Sequence, residues 1–133
     1  MVPFTLKTTG RTEFLDITRE VEKTVTRSGM EDGLVFVFVP HTTAGITINE
    51  GADPSVAEDI VRTLNRLIPF QGDYRHLEGN SAAHIKAGLM GASVQVAFEK
   101  GKLVLGTWQA IFFCEFDGPR TRKVLVKALA ASV

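Results

Sequence analysis

Apolar and polar residues alternate, or nearly so, through positions 4–8 and 12–16, with Gly10 and Arg11 between them. This predicts two strands paired as a hairpin. Ile17, Val21, Val25 and Ser28 then recur at helical spacing, with Asp16 or Thr18 placed to cap the start and Gly29 to follow the end. Every position from 34 to 39 is apolar, and the run is rich in β-branched and aromatic side chains, as in a central strand covered on both faces. Pro40 ends its ladder, because proline has no N–H to donate. Positions 45–49 alternate as a further strand. Asp53-Pro54 then pairs an N-cap with a first-turn proline, ahead of a helix carrying Val56, Ile60, Leu64 and Leu67 and stopped by Pro69.

A polar loop, 71–80, precedes a third short helix over 81–90, expected to be capped by Asn80 and closed by Gly91. The remaining chain reads as strands over 93–98, 103–105, 108–116 and 121–129, with Lys100-Gly101 and Asp117-Gly118 as turns. The pattern is α+β with β predominant. At 133 residues, positions 1–133 suffice for a single domain that buries about two-thirds of the surface of its unfolded chain.

Composition narrows the function classes. Hydrophobic residues make up 44% and charged residues 23%, ordinary globular usage. Fifteen basic residues balance fifteen acidic ones, so no overall field draws the chain onto nucleic acid or an anionic membrane surface. The start of the chain lacks the apolar core of a signal peptide, and no apolar run approaches the roughly 20 residues that span a bilayer. The one cysteine, Cys114, lies in an apolar strand and is expected to be a buried, inert thiol. A cytoplasmic protein is expected, with neither nucleic acid nor membrane as partner.

The polar residues gather where strands end. His41, His76 and His84 all lie in or beside such loops, and histidine is both the commonest metal ligand and the usual acid or base near neutral pH. Three imidazoles and a water match the open coordination of a catalytic zinc site. No HxH or HxxxH spacing forces two rings onto one ion, so each ring is equally readable as a loop hydrogen-bonder. Glu50 and Glu78 are candidates for a general base or for the acceptor a liganding histidine needs on its other nitrogen. Asp53 is read as a helix cap and Asp59 as solvent-facing. Thr42, Thr43 and Gly45 offer hydroxyl and backbone donors to an anion, without the lysine ending of a P-loop. Arg120, and more remotely Arg75 and Lys86, are candidate phosphate clamps. Trp108 and Gln109 interrupt an apolar run and are read as a ring and an amide lining a pocket.

The blocks His41-Thr-Thr-Ala-Gly-Ile-Thr-Ile-Asn-Glu50, His76-Leu-Glu-Gly-Asn80 with Ser81 and Ala83-His84, Leu105-Gly-Thr-Trp-Gln109 and Glu115-Phe-Asp-Gly-Pro-Arg120 together resemble the YjbQ family, nearly end to end. The resemblance implies a β-sandwich of two mainly antiparallel sheets with about three flanking helices. It also implies a homotrimer with its sheets packed around the threefold axis and polar sites near subunit boundaries. His41, His76, Glu78 and His84, together with Asn80, would gather around a bound metal or anion. Position 51 is Gly, where the resemblance leads one to expect a polar residue such as Asn.

Members of that family are described as secondary thiamine-phosphate synthases. The activity implied joins a pyrimidine pyrophosphate to a thiazole phosphate, with Arg120 and a divalent cation stabilising the departing pyrophosphate. Three histidines suit zinc better than magnesium. Two other classes fit the same residues. One is zinc-dependent hydrolysis of a small phosphate or ester, with Glu78 or Glu50 managing protons. The other is a non-catalytic trimeric protein that binds a small phosphorylated ligand.

Overall fold

The computed structural model describes residues 2–131, and of Val2 only the backbone. Among the described residues eight strands and three helices follow one another as β1 (Val2–Lys7), β2 (Glu13–Asp16), α1 (Thr18–Ser28), β3 (Gly33–Phe38), β4 (Ala44–Glu50), α2 (Pro54–Leu67), α3 (Ser81–Met90), β5 (Ser93–Glu99), β6 (Lys102–Leu103), β7 (Gln109–Glu115) and β8 (Thr121–Ala130). They form a five-stranded sheet, β1-β8-β3-β5-β6, and a three-stranded sheet, β2-β7-β4, every pair antiparallel. Among the described residues no helix is long and apolar enough to cross a membrane.

The two sheets face each other across a core of Val35, Val37, Ile46, Ile111, Phe113 and Val126, to which α1 adds Ile17, Val21 and Val25. A second apolar layer lies on the other face of the small sheet. There Phe112, Cys114 and Phe116 meet Ala83 and Ala87 of α3 and, less completely, Leu64 of α2. Cys114 is fully buried, and burial pushes its thiol well above the ordinary range. Gly45 allows α3 to approach β4: a Cβ there would sit 2.8 Å from the Gly91 carbonyl oxygen and 3.0 Å from the Met90 Cβ. The glycine thus serves the packing of α3 on β4.

The expected hairpin does not form. β1 pairs with β8, from Val2 opposite Val126 to Lys7 opposite Thr121, while β2 pairs with β7 in the other sheet. The segment between them is held across the β7–β8 connection by Thr8 N–H to the Arg120 carbonyl (2.9 Å) and Gly118 N–H to the Arg11 carbonyl (3.1 Å). Nor is β3 covered on both faces. Val35 and Val37 face the core, whereas Leu34 is 44% exposed and Phe36 and Phe38, stacked at 6.4 Å, are half-buried on the outer face. That face continues onto β8, where Leu129, opposite Leu34, is also 44% exposed.

The helix ends are mostly as the sequence indicates. Asp53 Oδ1 accepts from the Ser55 N–H at 3.0 Å, and Pro54 fills the first turn of α2. Gly29 closes α1 at φ 70°, a left-handed conformation that glycine adopts without a Cβ clash. Asp16 Oδ1 accepts from both the N–H and the hydroxyl of Thr18, at 3.0 and 2.7 Å. Asn80 departs from expectation, because it occupies the cap position of α3 but makes no side-chain capping bond.

Candidate functional site

β3 and β8 are antiparallel neighbours, so the chain leaving β3 at Pro40 and His41 passes beside Arg120, just before β8, and Arg122, within its first residues. Phe116 N–H donates to the Thr43 carbonyl, which brings the end of β7 to the same place, and α3 begins there because Ala83 packs in the layer that holds Phe116. Residues 82 positions apart thus share one cleft of about 650 Å³. His41, His76 and His84 all line it, as do Glu78, Asn80 and Arg120. Thr42 and Thr43 complete the set of expected residues found there.

Arg122 also lines the cleft, and its partner beneath is Glu115, a pair that the sequence did not single out. The Glu115 carboxylate is fully buried and Arg122 nearly so. Arg122 Nε donates to Glu115 Oε1 at 2.9 Å and its Nη2 to Glu115 Oε2, while the same Nη2 reaches the Thr43 hydroxyl at 2.9 Å. Thr8 donates its hydroxyl to Glu115 Oε1 (2.7 Å), and the Asp117 N–H donates to Oε2 (3.1 Å). Burial pushes the Glu115 carboxyl up, but the bonds from Arg122, Thr8 and Asp117 outweigh it and hold the group below its usual range. The signal that could have found this pair is a glutamate at the end of an otherwise apolar β7 and an arginine at an inward position of β8.

Asp117 organises the rim. Its Oδ2 accepts from Asn80 Nδ2 and from Arg120 Nη2, both at 3.0 Å, and its carbonyl accepts from Arg120 Nε at 2.8 Å. Asn80 therefore links α3 to the β7–β8 turn instead of capping its helix, and its Oδ1 is buried without a partner among the described residues. A buried, lone acceptor in a cleft calls for a donor on the ligand.

The histidines are brought together unevenly. The rings of His76 and His84 meet edge to face with centroids 5.4 Å apart, and His76 Nε2 is 3.9 Å from Glu78. His41 stands apart: its Nε2 accepts the Lys123 backbone N–H at 3.0 Å. A neutral imidazole has one lone pair and one N–H, so Nδ1 carries the proton and His41 is a hydrogen-bond donor rather than a metal ligand. Burial, with the Arg122 charge, lowers the His41 pKa and favours this neutral form. Among the described residues no three His, Cys, Asp or Glu side chains lie close enough to hold a metal ion. The expected three-histidine zinc centre does not fit the arrangement.

Three expected site residues lie elsewhere. Glu50 is at the far end of β4 from the cleft, its Oε2 accepting from the Ala52 and Asp53 N–H groups at 3.0 Å each. Trp108 precedes β7 in a turn and is 63% exposed. Gln109 Oε1 accepts from the Gly106 N–H at 2.8 Å, so the amide serves that turn. Lys86 is no surface charge: it is fully buried, its Nζ donating to Asn65 Oδ1 at 2.7 Å and lying 4.9 Å from the Phe70 ring centroid.

A two-sheet α+β sandwich flanked by three helices, with a polar cleft where β3, β7, β8 and α3 converge, defines a class of fold with known members. The chain belongs to the family described as UPF0047 protein YjbQ-like, whose model matches residues 3–131. It is 52% identical over 125 residues to the UPF0047 protein YugU of Bacillus subtilis, covering 93% of this chain and 95% of that one. A UPF0047 protein of Archaeoglobus fulgidus is 53% identical over 127 residues, 94% of this chain and 98% of the relative. The crystal structure of a YjbQ/UPF0047 family protein from Clostridium acetobutylicum superposes with a TM-score of 0.96 at 58% identity, covering 97% of this chain and all of that one.

Proposed function

We propose that the cleft binds small phosphorylated ligands and that the protein is a transferase of the secondary thiamine-phosphate synthase type. In that reaction the ring nitrogen of a thiazole phosphate attacks the methylene carbon of a pyrimidine pyrophosphate. A C–N bond forms as the C–O bond breaks, and pyrophosphate leaves with the electron pair. No protein nucleophile is needed, so the protein's part is orientation and charge stabilisation.

The observation that carries this reading is the fixed tautomer of His41, which makes Nδ1–H a donor in a cleft that also holds Arg120. Formal charge does not carry it. Glu115 balances Arg122, Asp117 balances Arg120, and Glu78 is left over, so attraction comes from directed donors. Arg120 spends Nε and Nη2 on Asp117, and no protein acceptor among the described residues takes its Nη1. With His41 and the Thr42 hydroxyl it is assigned to the departing pyrophosphate. Asn80 Oδ1 is assigned to a donor on the pyrimidine, and His76 and His84, beside Glu78, to orientation and proton management.

The test is thiamine phosphate formation by the purified protein and by His41→Ala, His76→Ala, His84→Ala and Arg120→Ala. Loss of turnover in each is expected, and unchanged turnover in all four rejects the site. The contact between His76 and His84 favours a second reading, in which a divalent ion, zinc in preference to magnesium, binds there and the protein hydrolyses a small phosphate or ester. Stoichiometric zinc that survives dialysis would select it. Ligand-dependent stabilisation without turnover of any substrate would leave a binding protein.

Self-association as a homotrimer belongs to the same proposal. Leu34, Phe36 and Leu129 give the large sheet an apolar outer face, and Phe38 on that face also lines the cleft, so a second copy seated there would border the site. A phosphorylated substrate and a single buried thiol fit a cytoplasmic location.

A further inference from the structure

Glu50 lines a second cavity, at the opposite end of β4 from the histidines and between β2 and α2. Its volume of about 560 Å³ falls within the range of small-molecule sites. The floor is apolar, made by Phe14 of β2, Phe112 of β7, and Ala57 and Val61 of α2. The two phenyl rings lie 6.1 Å apart, tilted by 40°. α2 contains no buried residue, although Val56, Ile60, Leu64 and Leu67 recur at helical spacing. The helix therefore leaves an open groove beneath it.

The rim is predominantly acidic. Glu13, Asp16, Glu50, Asp53 and Glu58 stand against the single Arg62. Three of these carboxylates are fixed by one oxygen each: Asp16 by Thr18, Glu50 by the Ala52 and Asp53 N–H groups, and Asp53 by the N–H and hydroxyl of Ser55. Among the described residues no protein donor meets the second oxygen of any of the three. The groove thus combines aromatic faces, which attract cations, with ionised groups held in place before any ligand arrives.

We infer that this groove binds a small organic cation with a flat aromatic body, the ring lying on Phe14 and Phe112 and the positive charge facing the carboxylate rim. An anion of the same shape is rejected by the rim. The site is separate from the phosphate cleft and does not depend on the activity proposed for it.

Benzamidine and benzoate share a ring and differ in charge, and each is titrated into the full-length protein while backbone amide NMR shifts are followed. Benzamidine is expected to give saturable shifts confined to β2, the turn at 50–53 and α2, and benzoate none. Glu58→Gln removes a rim charge that makes no hydrogen bond among the described residues and weakens benzamidine by about two- to tenfold. Ala57→Phe fills the groove and abolishes the shifts with the melting temperature unchanged. The inference is overturned by matching shifts from benzoate, by shifts located elsewhere, or by undiminished binding to Ala57→Phe. Dissociation of an oligomer in Ala57→Phe overturns it too, and assigns the groove to a second copy of the chain.

Discussion

His41 Nε2 accepts the backbone N–H of Lys123 at 3.0 Å, tying the segment after β3 to β8 and fixing which ring nitrogen carries the proton. The bond needs a neutral ring, and the surroundings supply that preference. Burial first, and the Arg122 charge second, lower the His41 pKa from its usual 6.5.

The sign of the pH effect follows. Because the folded chain takes up this proton at lower pH than the unfolded chain, the contribution is complete above about pH 6.5 and is lost as the pH falls below it. His41→Gln keeps an acceptor for Lys123 without a titrating ring, so it is expected to lose less stability on acidification. Thermal unfolding of both proteins between about pH 8 and pH 5 measures this. Parallel profiles would show that His41 is not the sensitive group.

Glu115 and Arg122 form a buried pair, and removing one partner leaves the other charge without compensation. Glu115→Gln is expected to cost about 3 kcal/mol in urea unfolding. Adding Arg122→Leu should cost less than the two separate changes summed, since the stranded charge goes with it. Additive effects would mean that the two groups are not coupled. The Glu115 carboxyl is held below its ordinary 4.5, so its contribution is present above that pH and fades as the pH falls through the lowered value.

Lys86 is buried against Asn65 and Phe70, and burial lowers its pKa, with Arg11 adding to the effect. Lys86→Met keeps most of the volume and removes the amine, so stability should change by less than about 1 kcal/mol. Lys86→Ala leaves a cavity and should cost about 2–4 kcal/mol. An equal, large loss in both would show that the ammonium itself holds α3 to the 65–70 segment.

The outer face of β3 carries the assembly prediction. Phe36→Asp, on a half-buried position between Lys127 and Gln95, is expected to leave the fold intact and reduce the particle to a monomer in sedimentation. A wild-type protein that sediments as a monomer would remove the trimer from the proposal.

Local signals alone determined much of this protein. The spacing of Ile17, Val21 and Val25, the Asp53-Pro54 cap and the glycines after α1 and α3 act within a few residues, so helices and strands could be read in place. Polar residues at strand ends likewise marked the 41–43, 76–80 and 117–120 segments that meet in the cleft. Partnership was different. β1 and β2 both alternate, yet nothing in that alternation says that one joins β8 and the other β7; the choice is made by which sheet buries each apolar face. The proton on His41 depends on a backbone group 82 positions away. Glu50 sits close to His41 in sequence, but an extended strand of seven residues carries it to the other end of the sheet. Only the tertiary structure decided these relationships, because their energies come from contacts between segments whose separation in the chain leaves no local trace.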